Sequence, residues 1–299
     1  MATMTETPVM TPATHEYHAE AHVLVGELQR PIEQKIEKHV PVTLTGRRAT
    51  HLTRLIEDVS IEGLISFKLG HTRVSGSKSL KHHGWVTLST SILEGLNVFE
   101  IVTADRMVSQ VSTDHPLENG HFPHVTFLGT KFENVCVSGF PLELTLDYGI
   151  CGKDNRCSYL DNEKFLTAVK EQTEQIAYAE GLPANLKKEY GDRLERINGL
   201  LGSCKPGRKG SEKPSITCSL VKSIGEIPLP GVRSFGHVLV IPEFGTVALG
   251  EIEVGEKLYE PNEEPSNYFQ LTNIKMNLGC VGHGTASGGT VTANGHHQP

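Results

Sequence analysis

Between residues 16 and 150 apolar and polar positions alternate with a period of two, the pattern of strands with one buried face. Glu16–Leu28 sets Tyr17, Ala19, Ala21, Val23 and Val25 on one face and His18, Glu20 and His22 on the other. Val40–Thr45 repeats the signal briefly, and Ile61–Leu69 reads as a strand with a buried face. The strongest stretch runs from Gly84 to Thr113, rich in β-branched residues, without proline and broken by Gly95. That glycine predicts a turn or bulge between two long strands. A loop over Asp114–Pro123 follows, then short strands at His124–Leu128, Phe132–Val137 and Leu142–Leu146, punctuated by glycines at hairpin-like intervals.

The period then changes. Over Asp161–Ala179 the residues Phe165, Leu166, Val169, Ile176 and Ala177 share one helical face, with Ser158 and Asp161 spaced as a capping box and Gly181 at the C′ position. Pro183 opens a second helix whose Leu186, Tyr190, Leu194, Ile197 and Leu201 recur turn by turn, ending near Gly202. The short connection makes the pair an antiparallel hairpin. Lys205–Pro214 is a solvated linker, after which strands resume at Ile216–Leu220, His237–Ile241, Thr246–Val254 and Tyr268–Leu278. A last strand at Thr290–Ala293 leads into a frayed tail ending Gly-His-His-Gln-Pro.

The fold expectation is mainly β: a sandwich or barrel of ten or more long antiparallel strands, with an amphipathic helical hairpin inserted at about 160–202. Residues 1–14, rich in Thr and Pro, form a disordered segment, and 15–299 form one domain. A two-domain split near residue 155 is the alternative. A chain of 299 residues can bury a sizeable core without covalent staples.

The net charge of −7 gives no electrostatic footprint for nucleic acid. No apolar run approaches the ~20 residues that span a bilayer, so no membrane partner is expected. The N-terminus has neither a basic nor an apolar leader region, which predicts a cytoplasmic chain with reduced thiols. Of the six cysteines, Cys151 and Cys157 precede the helical insert and Cys204 and Cys218 follow it. A disulfide or a four-cysteine zinc site at its base is therefore geometrically open.

Among candidate chemistry, His15, His18 and His22 would line one face of a helix. On the strand that the alternation predicts, His18 and His22 stand ~13 Å apart, at roughly 3.3 Å per residue. They read as solvent-facing polar positions, and His296-His297 as a solvated tail. The richer constellation is Asp114, His115, Glu118, His121 and His124, three histidines and two carboxylates in a turning loop. Histidine with carboxylate suits zinc, iron or manganese, and an open coordination position could activate water. Its H-x5-H-x2-H spacing follows no metal signature, and Asn119-Gly120 is equally a hairpin dipeptide. The glycine-rich Gly70–Ser79 lacks the lysine directly after the second glycine that a phosphate loop requires. No G-x-S-x-G nucleophile elbow occurs. Trp85, the single tryptophan beside His82-His83, reads as a core anchor. Glu251 and Glu253 share a strand face near Glu226, a pattern that exposed sheet faces also produce.

Three functional expectations follow. The first is a non-catalytic β-rich binding or assembly protein, self-associating into a homo-oligomer through long sheet edges and open to a small-molecule ligand. The second is a metal-dependent enzyme with His115, His121 and His124 as ligands and Asp114 or Glu118 as fourth ligand or base. The third is a carrier of an apolar molecule with the helical hairpin as its lid.

Overall fold

The computed structural model describes residues 14–79, 84–117, 122–152, 157–202, 212–259, 265–279 and 283–298. The expected disordered segment at 1–14, the pair His82-His83, Glu118, His121, Cys204, Cys280 and most of the 205–214 linker lie outside these residues, wholly or nearly so.

Two antiparallel sheets face each other as an open sandwich, which decides between the sandwich and the barrel. Sheet A has four long central strands: β1 (Thr14–Arg30), β17 (Gly245–Lys257), β18 (Ser266–Leu278) and β19 (His283–Gln298). They lie in the order β17-β18-β19-β1. On the β1 side β2 (Gln34–Ile36) and β3 (Val42–Gly46) extend the sheet. On the β17 side it continues through β13 (Ile216–Ser219), β16 (Val238–Ile241) and β15 (Arg233–Phe235). Sheet B is built on β4 (Thr50–Ile61), β5 (Ile65–Lys78), β6 (Trp85–Val98) and β7 (Val102–His115), with short strands at 124–126, 131–133, 136–137 and 140–141 beyond β7.

The expected frayed tail is instead strand. β19 runs to Gln298 and pairs with β1 from Thr14↔Gln298 to Arg30↔His283. Gly95 is not the turn between β6 and β7; Phe99 and Glu100 turn there, at φ 54° and 57°. Gly95 sits inside β6 at φ 64°. Directly across the sheet stand Lys68 of β5 and Asp105 of β7, and beyond Lys68 stands Asp58 of β4 at φ 50°. Bridge pairing lapses along this whole row, and the in–out alternation inverts across it. In β6 the buried set changes from Trp85, Thr87, Ser89, Ser91, Leu93 to Leu96, Val98.

Sheet A carries a matching row: Gly250 at φ 63°, Asn273, Gly289 at φ 63° and Val23. There the buried positions change from Phe269 and Leu271 to Ile274 and Met276, and from Ala21 and Val23 to Leu24 and Leu28. One inverted residue per strand keeps both halves of a long strand facing the core while the sheet bends.

Near these rows the sheets touch through small residues. Ser89 Oγ donates to the Thr292 carbonyl at 2.6 Å, Ser91 Oγ to the His22 carbonyl at 3.0 Å, and Ser109 Oγ to the Gly289 carbonyl. All three serines are fully buried. This hydroxyl waist separates one apolar cluster around Tyr17, Trp85 and Phe269 from another around Phe67, Leu93, Met107 and Met276.

The insert is a helical hairpin, α1 (Glu163–Ala177) and α2 (Ala184–Gly202). Ser158 caps a short 3-10 turn, its Oγ accepting from the Leu160 amide at 3.3 Å. The N-cap of α1 is Asn162, whose Oδ1 accepts from the Phe165 amide at 3.2 Å. The capping box expected from Ser158 and Asp161 is thus one turn early. α1 ends at Ala177, four residues before Gly181. Ile176, Leu186, Tyr190 and Leu194 pack on Phe235 and Val238, which fixes the hairpin to the β15–β17 side of sheet A. Among the described residues no helix is long and apolar enough to cross a membrane.

Candidate functional site

Asp114 and His115 are neighbours on β7 and so face opposite sides of sheet B. His115 points inward and is buried, its ring 4.9 Å from that of His15, which stacks on Trp85 at 4.9 Å. Asp114 lies directly opposite His124 in the antiparallel register, so those two share the other face. The strand thus divides His115 from Asp114 and His124, while Glu118 and His121 lie outside the described residues. Among the described residues no group of three or more His, Cys, Asp or Glu is placed to hold a metal ion. The cysteines Cys136, Cys151 and Cys218 are free thiols. Cys151 and Cys218 share the Trp85 cluster, where burial pushes the Cys218 thiol up to about 12 and Cys151 well up too.

The N-terminal histidines are not solvent-facing. His15 and His22 are buried and His18 is half-buried. His18 Nε2 lies 3.2 Å from His296 Nδ1, and Tyr259 stacks on both rings at 4.2 and 4.3 Å. Burial first, then His296 and Lys257, lowers His18 to about 4. At neutral pH one ring therefore donates to the other. Asn294 Nδ2 donates to Tyr259 Oη at 2.6 Å and holds that ring in place.

This cluster closes one end of a trough on the outer face of sheet A. The larger part is a hollow of about 490 Å³ lined by Thr43 and Thr45 on one bank, Tyr259 and Tyr268 on the other, and Gln270 and Thr292 between. A second hollow of about 320 Å³ adjoins it at Gln270 and continues over Thr272, Thr290, His22 and Glu253 to Lys275. The outward positions step from His22 to Val25, from Thr272 to Lys275 and from Thr290 to Ser287 because the inversion row crosses the floor.

Tyr268 is laid flat by its cross-strand partner. It pairs with Gly255, and a Cβ on that glycine would stand 2.4 and 2.5 Å from ring carbons and 2.6 Å from the hydroxyl oxygen. The ring occupies the missing side chain's place, and its Oη donates to Glu253 Oε1 at 2.7 Å. Burial, then the Glu253 hydrogen bond, raises the Tyr268 hydroxyl to about 12, so it remains a donor. His22 is 8% exposed, and its Nε2 meets no hydrogen-bond partner among the described residues. Burial, then Lys38, lowers it to about 4, which keeps the ring neutral.

Glu251 anchors the trough to the helical hairpin. Arg193 Nη2 of α2 donates to its Oε1 at 2.8 Å, with Lys275 at 3.4 Å and His237 at 3.8 Å. Burial alone would raise this carboxyl, but His237, Arg193 and Lys275 outweigh it and hold Glu251 well below the usual carboxylate range. Arg193 also lies over the Tyr190 ring at 4.6 Å.

A family model described as a domain of unknown function (DUF8256) matches residues 15–255. The chain belongs to that family. No curated protein and no solved structure matches it. The DUF8256 match takes in β1 with His18 and His22, the bank at β3, the helical hairpin, and Glu251, Glu253 and Gly255 on β17. It stops before Tyr259, Tyr268, Gln270 and Asn294, so the trough joins matched strands to strands beyond the match.

Sequence reasoning singled out Glu251 and Glu253 for sharing a face and placed His18 and His22 on one face as well. It missed Tyr268, Gln270, Thr292 and Asn294. Their only signal is polar residues at alternate positions of two strongly β segments, which any solvated sheet face also gives.

Proposed function

We propose that this DUF8256 chain is a non-catalytic binding protein whose ligand lies along the outer face of sheet A. The observation that carries the reading is the trough itself, two adjoining hollows floored by hydrogen-bonding side chains from neighbouring strands. Concave sites with a few convergent polar groups are where small ligands bind. The polar groups hold one another in place: Thr272 and Thr290 hydroxyls 3.2 Å apart, Tyr268 on Glu253, Asn294 on Tyr259. Such a lining is ordered before a ligand arrives, which lowers the entropy cost of binding.

The test is a thermal-shift screen of polar metabolites, short peptides and saccharides, with each hit recovered and analysed by mass spectrometry. A ligand at a hundred times its Kd stabilises by about 2.7 kcal/mol, a shift of several degrees in a chain of this size. The expected result is a hit recovered unchanged, whose shift disappears in Gln270→Ala/Thr292→Val and survives in Arg73→Ala on sheet B. A hit converted to product, or one indifferent to the trough variant, overturns the reading.

Self-association is the companion reading, supported by β4. This twelve-residue strand pairs with β5 on one side and forms the outer edge of sheet B. It is exposed along most of its length, including Leu52 and Leu55. Unpaired edges of that length are templates for a second strand.

A further inference from the structure

We infer that the trough takes a neutral oligosaccharide, with one sugar ring seated on Tyr268; this rests on the reading of the trough as the binding site. Charge narrows the ligand first. Glu20, Glu212 and Glu253 on the walls oppose an anion. The three lysines of the lining are each engaged: Lys38 with Glu20 at 3.8 Å, Lys275 with Glu251 at 3.4 Å, and Lys257 over the Tyr259 ring at 5.5 Å. A cation fares little better, because the same carboxylates already have partners: Glu253 accepts from Tyr268, Glu212 from the Leu258 amide at 2.8 Å, and Glu20 faces Lys38. An apolar ligand would desolvate the hydroxyls and amides of the floor without repaying them.

What remains is a neutral molecule carrying many groups that both donate and accept. Sugar hydroxyls do this, and so do the Thr and Gln side chains of the floor. The Tyr268 ring adds the second element. With one face held against Gly255, its other face is a flat platform beside those groups. The C–H face of a pyranose carries the weak positive charge that the negative face of an aromatic ring attracts. Glu253, held in place by the Tyr268 hydroxyl, stands at the platform's edge as an acceptor for hydroxyls of the seated ring.

The third element is His22, in the wall of the smaller hollow. A buried ring nitrogen without a partner costs about 1–3 kcal/mol, and a ligand hydroxyl that reaches it recovers that cost. From Ser287 to Asn294 the floor strand spans seven residue steps, roughly 23 Å. That is room for a chain of several rings rather than for one monosaccharide.

The experiment is an array of short neutral cello-, manno-, xylo- and chito-oligosaccharides, with uronic-acid and sulfated glycans alongside, followed by calorimetry on any glycan bound. The expected result is a neutral glycan whose affinity falls at least about tenfold in Tyr268→Ala and is largely kept in Tyr268→Phe. Gly255→Ala leaves the trough side chains unchanged but displaces the ring, and affinity should fall with it. Gln270→Ala, on the floor beside the platform, provides a second loss that does not depend on the ring. Binding of acidic glycans only, or neutral binding indifferent to Tyr268→Ala, overturns the inference. If no glycan binds while other compounds still give shifts that Gln270→Ala/Thr292→Val abolishes, the sugar assignment fails and the binding site stands. If no compound gives a trough-dependent shift, the site reading itself fails. Unfolding curves of each variant separate lost binding from lost folding.

Discussion

Gly289 is the position where the bend in sheet A can be tested most directly. It sits at φ 63°, and a Cβ there would meet Ser109 Oγ at 2.7 Å and Asn273 Cβ at 3.4 Å. Replacing it with alanine carries two costs. The left-handed backbone costs an L-residue roughly 1–2 kcal/mol. Forcing a methyl against the waist serine adds about 1–3 kcal/mol, since the surroundings are packed. Gly289→Ala should therefore lose about 2–5 kcal/mol. Gly63→Ala provides the control: the same backbone region at φ 67°, with nothing within 4 Å of the added carbon, and so only the first cost.

The two are compared by urea unfolding, with m unchanged so that the midpoints report stability alone. A cycle with Ser109→Ala isolates the contact. Ser109→Ala by itself gives up the hydrogen bond to the Gly289 carbonyl, about 0.5–1.5 kcal/mol, yet in the Gly289→Ala background it removes the obstructing oxygen. The double variant should accordingly be more stable than the sum of the single losses allows. Equal losses at Gly289 and Gly63, or strict additivity with Ser109→Ala, would refute the close contact between the sheets at this row.

Two further predictions concern pH and assembly. His18 and His22 titrate near 4 in the folded protein and near 6.5 when unfolded, so between those values the unfolded chain binds more protons. Their contribution to stability is complete above 6.5 and is lost as pH falls toward 4; melting temperatures should drop across that window, less steeply in His22→Gln, and a flat profile would count against the buried neutral rings. For the β4 edge, sedimentation velocity should find concentration-dependent association of the wild type that Leu55→Lys abolishes. Leu55 is 57% exposed, so the melting temperature should hardly move, and a monomeric wild type would end the self-association reading.

The sequence makes the strand-rich architecture and the helical hairpin legible because both rest on periodicity. It is least legible where the core is not apolar. In β6 the inward positions include Thr87, Ser89 and Ser91, while Val86, Leu88 and Ile92 face out, so a hydrophobicity count alone turns the strand the wrong way round. β4 gives no alternation at all, since an edge strand exposed on both faces has no reason to show any. Gly95 is visible as an interruption, but whether a glycine turns the chain or inverts a strand depends on the three residues standing beside it in other strands. Of the trough, the face shared by Glu251 and Glu253 could be read locally. The platform could not, because Tyr268 and Gly255 become one object only through cross-strand register.

The pairing of β1 with β19 also sets a timetable for synthesis. His18 and His296, in hydrogen-bond contact, are 278 residues apart in the chain. At about 5–20 residues per second a ribosome needs roughly 15–55 s to traverse that separation. Through this interval β1 has emerged while its longest partner has not been made, and only the nearby hairpin strands β2 and β3 can occupy its other edge. Sheet B, whose long strands follow one another with short turns, can form meanwhile and offer β1 a face to pack against. The nascent chain thus carries a half-finished sheet through this interval, and the trough comes into being only when β18 and β19 arrive to complete its floor.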